Sequence, residues 1–405
     1  MKILFFTQYF WPENFRINEL VEEFNSKDNT VLTSYPSYPS YKNFKDFKKS
    51  KDQIYSNSKI IRVPVFGRSS NNISIILNYI TFLIMSFFYS IFTLFKKKKD
   101  IIFIFCPSPI LSAIPILIIN KIFKKKVVLW VLDLWPNTII DLKIIENKFL
   151  IKILKKLTLY IYDNSHLILA QSESIKNEII QTTNTKCIFF PSWPEDKISQ
   201  DDLDESDDIG PKKNQNTLRI MFTGNIGEAQ SFDTMVQAAL ILKKTLKIEW
   251  LIVGDGRWKN NLKEKIWKNN LIDEIRLLNS IPITKIKSYT NYADALYLSL
   301  KDNDTFSKTI PGKLQTYMSI GKPIIASISG EAHDIIKKAN CGIVSKAEDY
   351  EELAKNIKIF AGYSSKYKND LGKNGYVYSE KYFNKKEILQ NLKNEFTEIL
   401  KWKFS

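Results

Sequence analysis

Lys308 and Lys313 flank a Pro311-Gly312 pair, and Leu314, Tyr317 and Met318 follow at i, i+3, i+4 spacing before Gly321. That order reads as a loop, a short helix and its stop signal. Lys322-Pro323 then leads into Ile324–Ala326, an apolar run with the character of a buried strand. A helix N-terminus presents unpaired N–H groups, and the two lysines add positive charge at that end. The stretch therefore reads as a phosphate site. A plain strand–helix unit with solvated lysines would share the pattern.

Two glycine turns carry related chemistry. Leu218–Thr223 reads as a strand followed by Gly224-Asn225-Ile226-Gly227. Ile248–Val253 reads as another, ending in Gly254-Asp255-Gly256, with Arg257 opening a helix. Glycines after a strand let backbone approach a phosphate, although the full dinucleotide fingerprint is missing. Asp133 ends the strand Val127–Leu132 ahead of Trp135-Pro136, a position for a hydroxyl ligand or general base, or for a helix N-cap. After the first strand, Lys2–Thr7, the segment Gln8–Arg16 places Glu13, Asn14 and Arg16 where a sugar or phosphate is met, or where a helix is capped. Asp302-Asn303-Asp304 has the spacing of a D-x-D metal pair but lies in a plain polar loop.

These residues need a scaffold. Strand and helix patterns alternate throughout the 405 residues, the signature of α/β domains with parallel, doubly wound sheets. Residues 1–195 form one such domain, and 217–375 a second. Between them, 196–216 contain the acidic run Asp201–Asp208 and read as a solvated linker. The tail, 376–405, is helical by pattern and is expected to dock on the outside of the domains.

The formal net charge is +16, which suits nucleic acid, an anionic lipid surface or a phosphorylated substrate. No zinc-finger spacing or RNA-binding signature accompanies it, so nucleic acid is not the expected partner. Ile73–Phe95 is 23 residues without a charge and meets Lys96–Lys99; a second basic cluster, Lys124–Lys126, follows another apolar helix. The length fits a membrane span, yet eight Ser, Thr, Asn and Tyr residues interrupt it and a sheet-like strand follows at once. A long, mostly buried helix that partly dips into the membrane interface is the favoured reading. Three scattered cysteines read as reduced thiols, and two histidines argue against a His-based metal site. Met1–Thr7 enters a strand without a secretory leader pattern, so a cytoplasmic location is expected.

Six stretches occur in a telling order: KILFFTQYFWPENFRINEL at the N-terminus, Ser108-Pro109, WVLDLWP at Trp130–Pro136, FTGNIGEAQSFDTM at Phe222–Met235, VGDG at Val253–Gly256, and IPGKLQTYMSIGKPII at Ile310–Ile325. Together they resemble the retaining GT-B glycosyltransferases of family 4, of the O-antigen and capsule type, close to N-acetyl-L-fucosamine transferases. The resemblance covers nearly the whole chain. It implies a GT-B fold of two Rossmann-like domains facing across a cleft, with a C-terminal helix returning to the first. It implies a UDP-sugar donor held mainly by the second domain, a lipid-linked saccharide acceptor on the first, and no metal or other cofactor.

By that resemblance Gly224 and Asn225 lie near the donor phosphates and Asp255, Gly256 and Arg257 near the nucleoside. Lys313, with Pro311, Gly312 and Leu314 at the helix start, would meet the diphosphate. Asp133 matches the acid of the family's His-Asp loop, with Leu132 in place of His. Lys308 and Thr316 stand where many relatives carry two glutamates, which puts a Glu-assisted donor contact in doubt and leaves Lys308 as added charge. The missing glutamates also motivate an alternative, a non-catalytic nucleotide-binding scaffold of a polysaccharide assembly complex.

Overall fold

The computed structural model describes residues 1–44, 47, 53–69, 71–96, 98–141, 143–195 and 217–401. The acidic stretch 196–216, expected as a linker, lies outside the described residues. The chain forms two compact units, one of Met1–Pro191 with Lys386–Ser405 and one of Ser192–Lys385.

Unit 1 is built on β1 (Ile3–Thr7), β2 (Thr30–Ser34), β3 (Gln53–Tyr55), β4 (Ser58–Val63), β5 (Ile101–Cys106), β6 (Lys126–Val131), β7 (Leu167–Ala170) and β8 (Cys187–Phe189), in the order β3-β4-β2-β1-β5-β6-β7-β8. All pairings are parallel except the β3–β4 hairpin, which the sequence reading did not contain. Strands β1 and β5 are buried along their whole length, as apolar runs covered on both faces must be. The helices are α1 (Arg16–Glu23), α2 (Asn72–Lys96), α3 (Ile114–Phe123), α4 (Asn137–Asp141), α5 (Lys148–Asp163) and α6 (Glu173–Ile180). Phe82 of α2, Ile116 of α3, Ile161 of α5 and Ile175 of α6 pack in one core cluster against the sheet. Asn147 caps α5 by accepting from the amides of Phe149 and Leu150.

Unit 2 is a six-stranded parallel sheet: β9 (Leu218–Thr223), β10 (Ile248–Val253), β11 (Ile275–Leu278), β12 (Ala295–Ser299), β13 (Ile324–Ser327) and β14 (Gly342–Ser345). Its order, β11-β10-β9-β12-β13-β14, reverses direction between β9 and β12. That reversal makes the carboxyl ends of β9 and β12 the topological switch point, where open α/β sheets bind ligands. Its helices are α7 (Phe232–Leu242), α8 (Lys259–Lys268), α9 (Ile286–Thr290), α10 (Asp304–Ser307), α11 (Gly312–Ile320), α12 (Glu331–Ala339), α13 (Tyr350–Ala361) and α14 (Ser365–Tyr382).

The tail divides in two. α14 packs on α11 in unit 2. After a break at Phe383-Asn384, α15 (Lys385–Lys401) packs on unit 1, where Phe396 stacks on Phe24 at 5.2 Å and meets Phe103. Buried aromatics of this kind stabilise by about 1.5–3 kcal/mol each, enough to hold α15 in place.

α2 departs from expectation. Its buried side is its polar side: Ser74, Asn78, Ser86, Ser90 and Thr93 face inward with Phe82 and Leu94. Asn78 explains the inversion. Its Oδ1 accepts from Gln8 Nε2 at 2.8 Å and its Nδ2 donates to the Phe66 carbonyl at 2.6 Å, so the stripe knits α2 to the loops after β1 and β4. The large apolar residues point outward, with Ile73 72%, Phe92 62% and Phe95 71% exposed. The expectation of a mostly buried helix is therefore corrected. A crossing of the bilayer is also incompatible with this fold, because α2 connects β4 and β5 within one hydrogen-bonded sheet.

Candidate functional site

The switch point of unit 2 gathers most of the residues singled out by the sequence. Gly224 follows β9 with φ +126°, and Gly254 follows β10 with φ +156°, both in the region that favours glycine. A Cβ on Gly254 would lie 1.9 Å from the Gly224 carbonyl oxygen, so the two turns meet backbone to backbone. They are also hydrogen-bonded. The amide of Ile226 donates to the Asp255 carbonyl at 2.7 Å, and that of Trp258 to the Ile226 carbonyl at 3.0 Å.

Helix α11 reaches the same place. Pro311 is its N-cap, and no side chain satisfies its first turn. Gly312 is exposed with open space about it, so the helix N-terminus is bare. Leu314, Tyr317 and Met318 are buried, as their spacing predicts. The Tyr317 hydroxyl accepts from the Thr223 amide at 2.9 Å, which locks α11 to the end of β9. Tyr317→Phe is expected to leave that buried amide unpaired and cost about 1–3 kcal/mol, measured by denaturant unfolding.

Lys313 lies over Gly224. Its Cε is 2.7 Å from where a Gly224 Cβ would be, and its Nζ sits 4.6 Å from the Phe222 ring centroid. Among the described residues no carboxylate or hydrogen-bond acceptor partners this ammonium. Burial pulls its pKa down from 10.5 to about 8. A cation held at a bare helix N-terminus without a counter-charge is arranged for an anion.

The other unit 2 residues divide. Asn225, Asp255 and Arg257 are exposed around the two turns, and Asp255 Oδ1 accepts from the Gly256 amide at 2.8 Å. Lys308 forms an ion pair with Asp304 at 2.8 Å, so its charge is already offset and it is not added free charge at the helix. Asn303 caps α10, and no three His, Cys, Asp or Glu side chains cluster like metal ligands among the described residues. The reading missed Glu348, which accepts from the Ser231 hydroxyl and the Asp302 amide, both at 3.1 Å, and so ties the loop after β9 to the loop after β12. Nothing in the sequence links positions so far apart.

In unit 1, Glu13 is turned inward. It accepts from the amides of Phe10 at 3.0 Å, Ser37 at 2.8 Å and Tyr38 at 2.6 Å. Burial raises its pKa to about 7 against the lowering effect of those bonds. It holds two loops together. Capping α1 is not its role, since the N-cap is Phe15 without a side-chain cap. Arg16 pairs with Glu19 at 2.6 Å, and Asn14 is exposed. Asp133 lies two residues beyond β6, half-buried, and burial lifts its pKa to about 6. α4 starts only at Asn137, so Asp133 does not cap it, and its carboxylate has no protein partner among the described residues. Lys99, counted in the first basic cluster, is buried and donates to Thr30 Oγ1 at 2.8 Å and to the Asp28 carbonyl, so it is not available to a surface ligand.

Residues 204–378 match the family model described as glycosyl transferases group 1. No curated protein matches the chain. Among solved structures, sucrose-phosphate synthase of Thermosynechococcus elongatus is similar, with a TM-score of 0.74, 14% identity, and coverage of 98% of this chain and 99% of that one. HepE of Anabaena, solved in complex with UDP and glucose, aligns with a TM-score of 0.69 at 14% identity over 98% and 100%. A glycosyltransferase of Rickettsia africae aligns with a TM-score of 0.68 at 15% identity over the full length of both chains. The chain thus has the GT-B fold, and the match to the group 1 family model falls on residues 204–378. Identities this low speak to the fold alone.

Proposed function

We propose that this protein is a retaining glycosyltransferase that moves a sugar from a UDP-sugar to a lipid-linked saccharide in O-antigen or capsule synthesis. The motif resemblance favours an N-acetylated 6-deoxyhexose such as N-acetyl-fucosamine. One observation carries the reading: the unpartnered Lys313 ammonium over Gly224 at the bare N-terminus of α11. Breaking the donor's glycosidic bond leaves a diphosphate, and fixed charge with N–H donors stabilises the charge that develops there. The UDP complex of the Anabaena neighbour supports a UDP donor by analogy.

The Lys313 ammonium and the amides of Gly312 and Lys313 would hold the diphosphate, and Gly224 allows its close approach; the Leu314 amide already donates to the Pro311 carbonyl at 2.8 Å. Asp255 and Arg257 would lie toward the nucleoside. On unit 1, Asp133 would accept from an acceptor hydroxyl, while the diphosphate takes the proton on the face the leaving group departs from, which gives retention. No metal is required by this scheme.

Thermal melting against UDP-, GDP- and dTDP-sugars tests the donor class. A ligand at a hundredfold excess over its Kd stabilises by about 2.7 kcal/mol. Selective stabilisation by a UDP-sugar is expected, and stabilisation by none would count against the reading. Turnover on a lipid-linked acceptor separates the enzyme from a nucleotide-binding scaffold.

The outward faces of α2, α3 and α5 suit the inner, anionic face of the cytoplasmic membrane. Phe95 packs on Phe123 at 4.8 Å, and Lys121 of α3 sits over the Tyr160 ring of α5 at 4.9 Å, so the three helices adjoin. Ile122 and Phe149 continue the exposed apolar surface, with Lys124, Lys148 and Lys152 beside it. Ile80→Lys with Phe88→Lys is expected to lower vesicle binding by at least about tenfold in a flotation assay, since each buried aromatic or Ile contributes roughly 1.5–3 kcal/mol.

A further inference from the structure

A groove of about 520 Å³ runs between the end of α12 and one face of α14, wholly within unit 2. Lys338 of α12 and Lys373 and Lys381 of α14 line it, all three exposed. Among the described residues none of the three forms an ion pair. Asn374 closes one wall, its Nδ2 donating to the Asn340 carbonyl at 3.0 Å. Asp370 is the carboxylate in the lining, and it lies about three turns of α14 before Lys381.

Two of the lysines converge. Lys338 Nζ stands 5.8 Å and Lys381 Nζ 5.2 Å from the centroid of the Tyr382 ring. Each belongs to the last turn of its helix, where positive charge is favoured. That accounts for each lysine singly. Bringing both to one ring without a paired carboxylate costs repulsion, which an anion bound between them would reverse. Tyr378 packs on Tyr382 with ring centroids 4.4 Å apart, and its hydroxyl has no partner among the described residues. Burial, then the nearby Tyr382, Cys341 and Glu331, lifts its pKa to about 12, so it stays protonated and able to donate.

The groove is apart from the switch point. β14 starts at Gly342, two residues after Asn340 ends α12, so the groove opens at the amino ends of the strands. Gly224, Gly254 and Lys313 stand at the carboxyl ends.

We propose that Lys338 and Lys381, with the Tyr378 hydroxyl, bind the dianionic phosphate group of a small soluble molecule. Lysine ammoniums bind phosphate as point charges, without the planar fork that a guanidinium imposes. Asn374 and Val377 line the groove toward Lys373 and offer a polar and an apolar contact to the rest of the molecule. The site does not depend on the glycosyltransferase reading.

The test is acylation of lysine amines on the full chain, read residue by residue by peptide mass spectrometry. Ribose 5-phosphate and inorganic phosphate are the probes; ribose and sodium chloride at matched ionic strength are the controls. A ligand at about nine times its Kd leaves about one-tenth of sites open, so labelling of Lys338 and Lys381 should fall by up to about tenfold with either probe. Lys337 and Lys366, exposed on the same helices, should label at unchanged rates. Lys381→Gln should abolish the protection of Lys338, and Lys338→Gln that of Lys381, because one anion holds both. Both substitutions fall at exposed positions, so folding is spared. Protection that extends equally to Lys337 and Lys366, that chloride reproduces, or that survives substitution of the other lysine would mean diffuse counter-ion attraction and overturn the site. So would the absence of protection by both phosphate probes. UDP-dependent thermal stabilisation, read on the same preparations, reports the switch point separately. Its absence would remove the donor reading and leave the result at this groove to stand or fall alone.

Discussion

Lys313→Met is expected to slow sugar transfer by about 10²–10³ while leaving the protein folded. The magnitude is that of one preorganised group lost from a site of developing negative charge. Methionine keeps the stem that lies over Gly224, so packing there survives. Folding should not suffer from the lost charge, because burial already penalises the ammonium, as its pKa of about 8 records. That penalty is fully present below pH 8 and is relieved as pH rises toward 10.5, so removing the amine relieves it at neutral pH. Steady-state transfer rates with melting curves check both halves. A folded variant with normal turnover would remove Lys313 from the mechanism.

Asp133→Asn is expected to leave UDP affinity unchanged and to slow transfer by about 10², the effect of one positioned hydrogen-bonding group. The wild-type pH profile supplies a second signature. Burial raises the Asp133 pKa to about 6, so its carboxylate is ionised above pH 6 and protonated below. Transfer should fall as pH drops through about 6. The inflection should vanish in Asp133→Asn, whose side chain does not titrate. Equal rates for variant and wild type, or an unaltered acid limb, would exclude the residue.

Much of this was legible in the sequence because it rests on local pattern. β9 and β10 follow from apolar runs bounded by turn residues, and their ends match the expected limits. Pro311 and Gly321 mark the ends of α11 by the ordinary start and stop chemistry of helices. What stayed hidden depends on tertiary choices. Lys308 and Lys313 look alike in sequence, yet one pairs with Asp304 while the other is left without a counter-charge. Glu13 reads as a surface carboxylate until the loop at Ser37-Tyr38 folds over it. α2 was misjudged because apolar content was taken as burial, whereas Asn78 and its serine stripe turn the helix the other way.

The most direct measurement is the affinity of UDP for wild type and Lys313→Met by calorimetry between pH 7 and pH 9.5, in buffers of different ionisation enthalpy. If the Lys313 ammonium meets the diphosphate, wild-type affinity is flat below pH 8. It then falls about tenfold per pH unit above it, with uptake of close to one proton at pH 9. Lys313→Met should bind at least about tenfold more weakly at pH 7 and show neither the fall nor the proton uptake. Wild-type binding that is independent of pH, or equal affinities in the two proteins, would contradict the assignment of this site to the donor diphosphate.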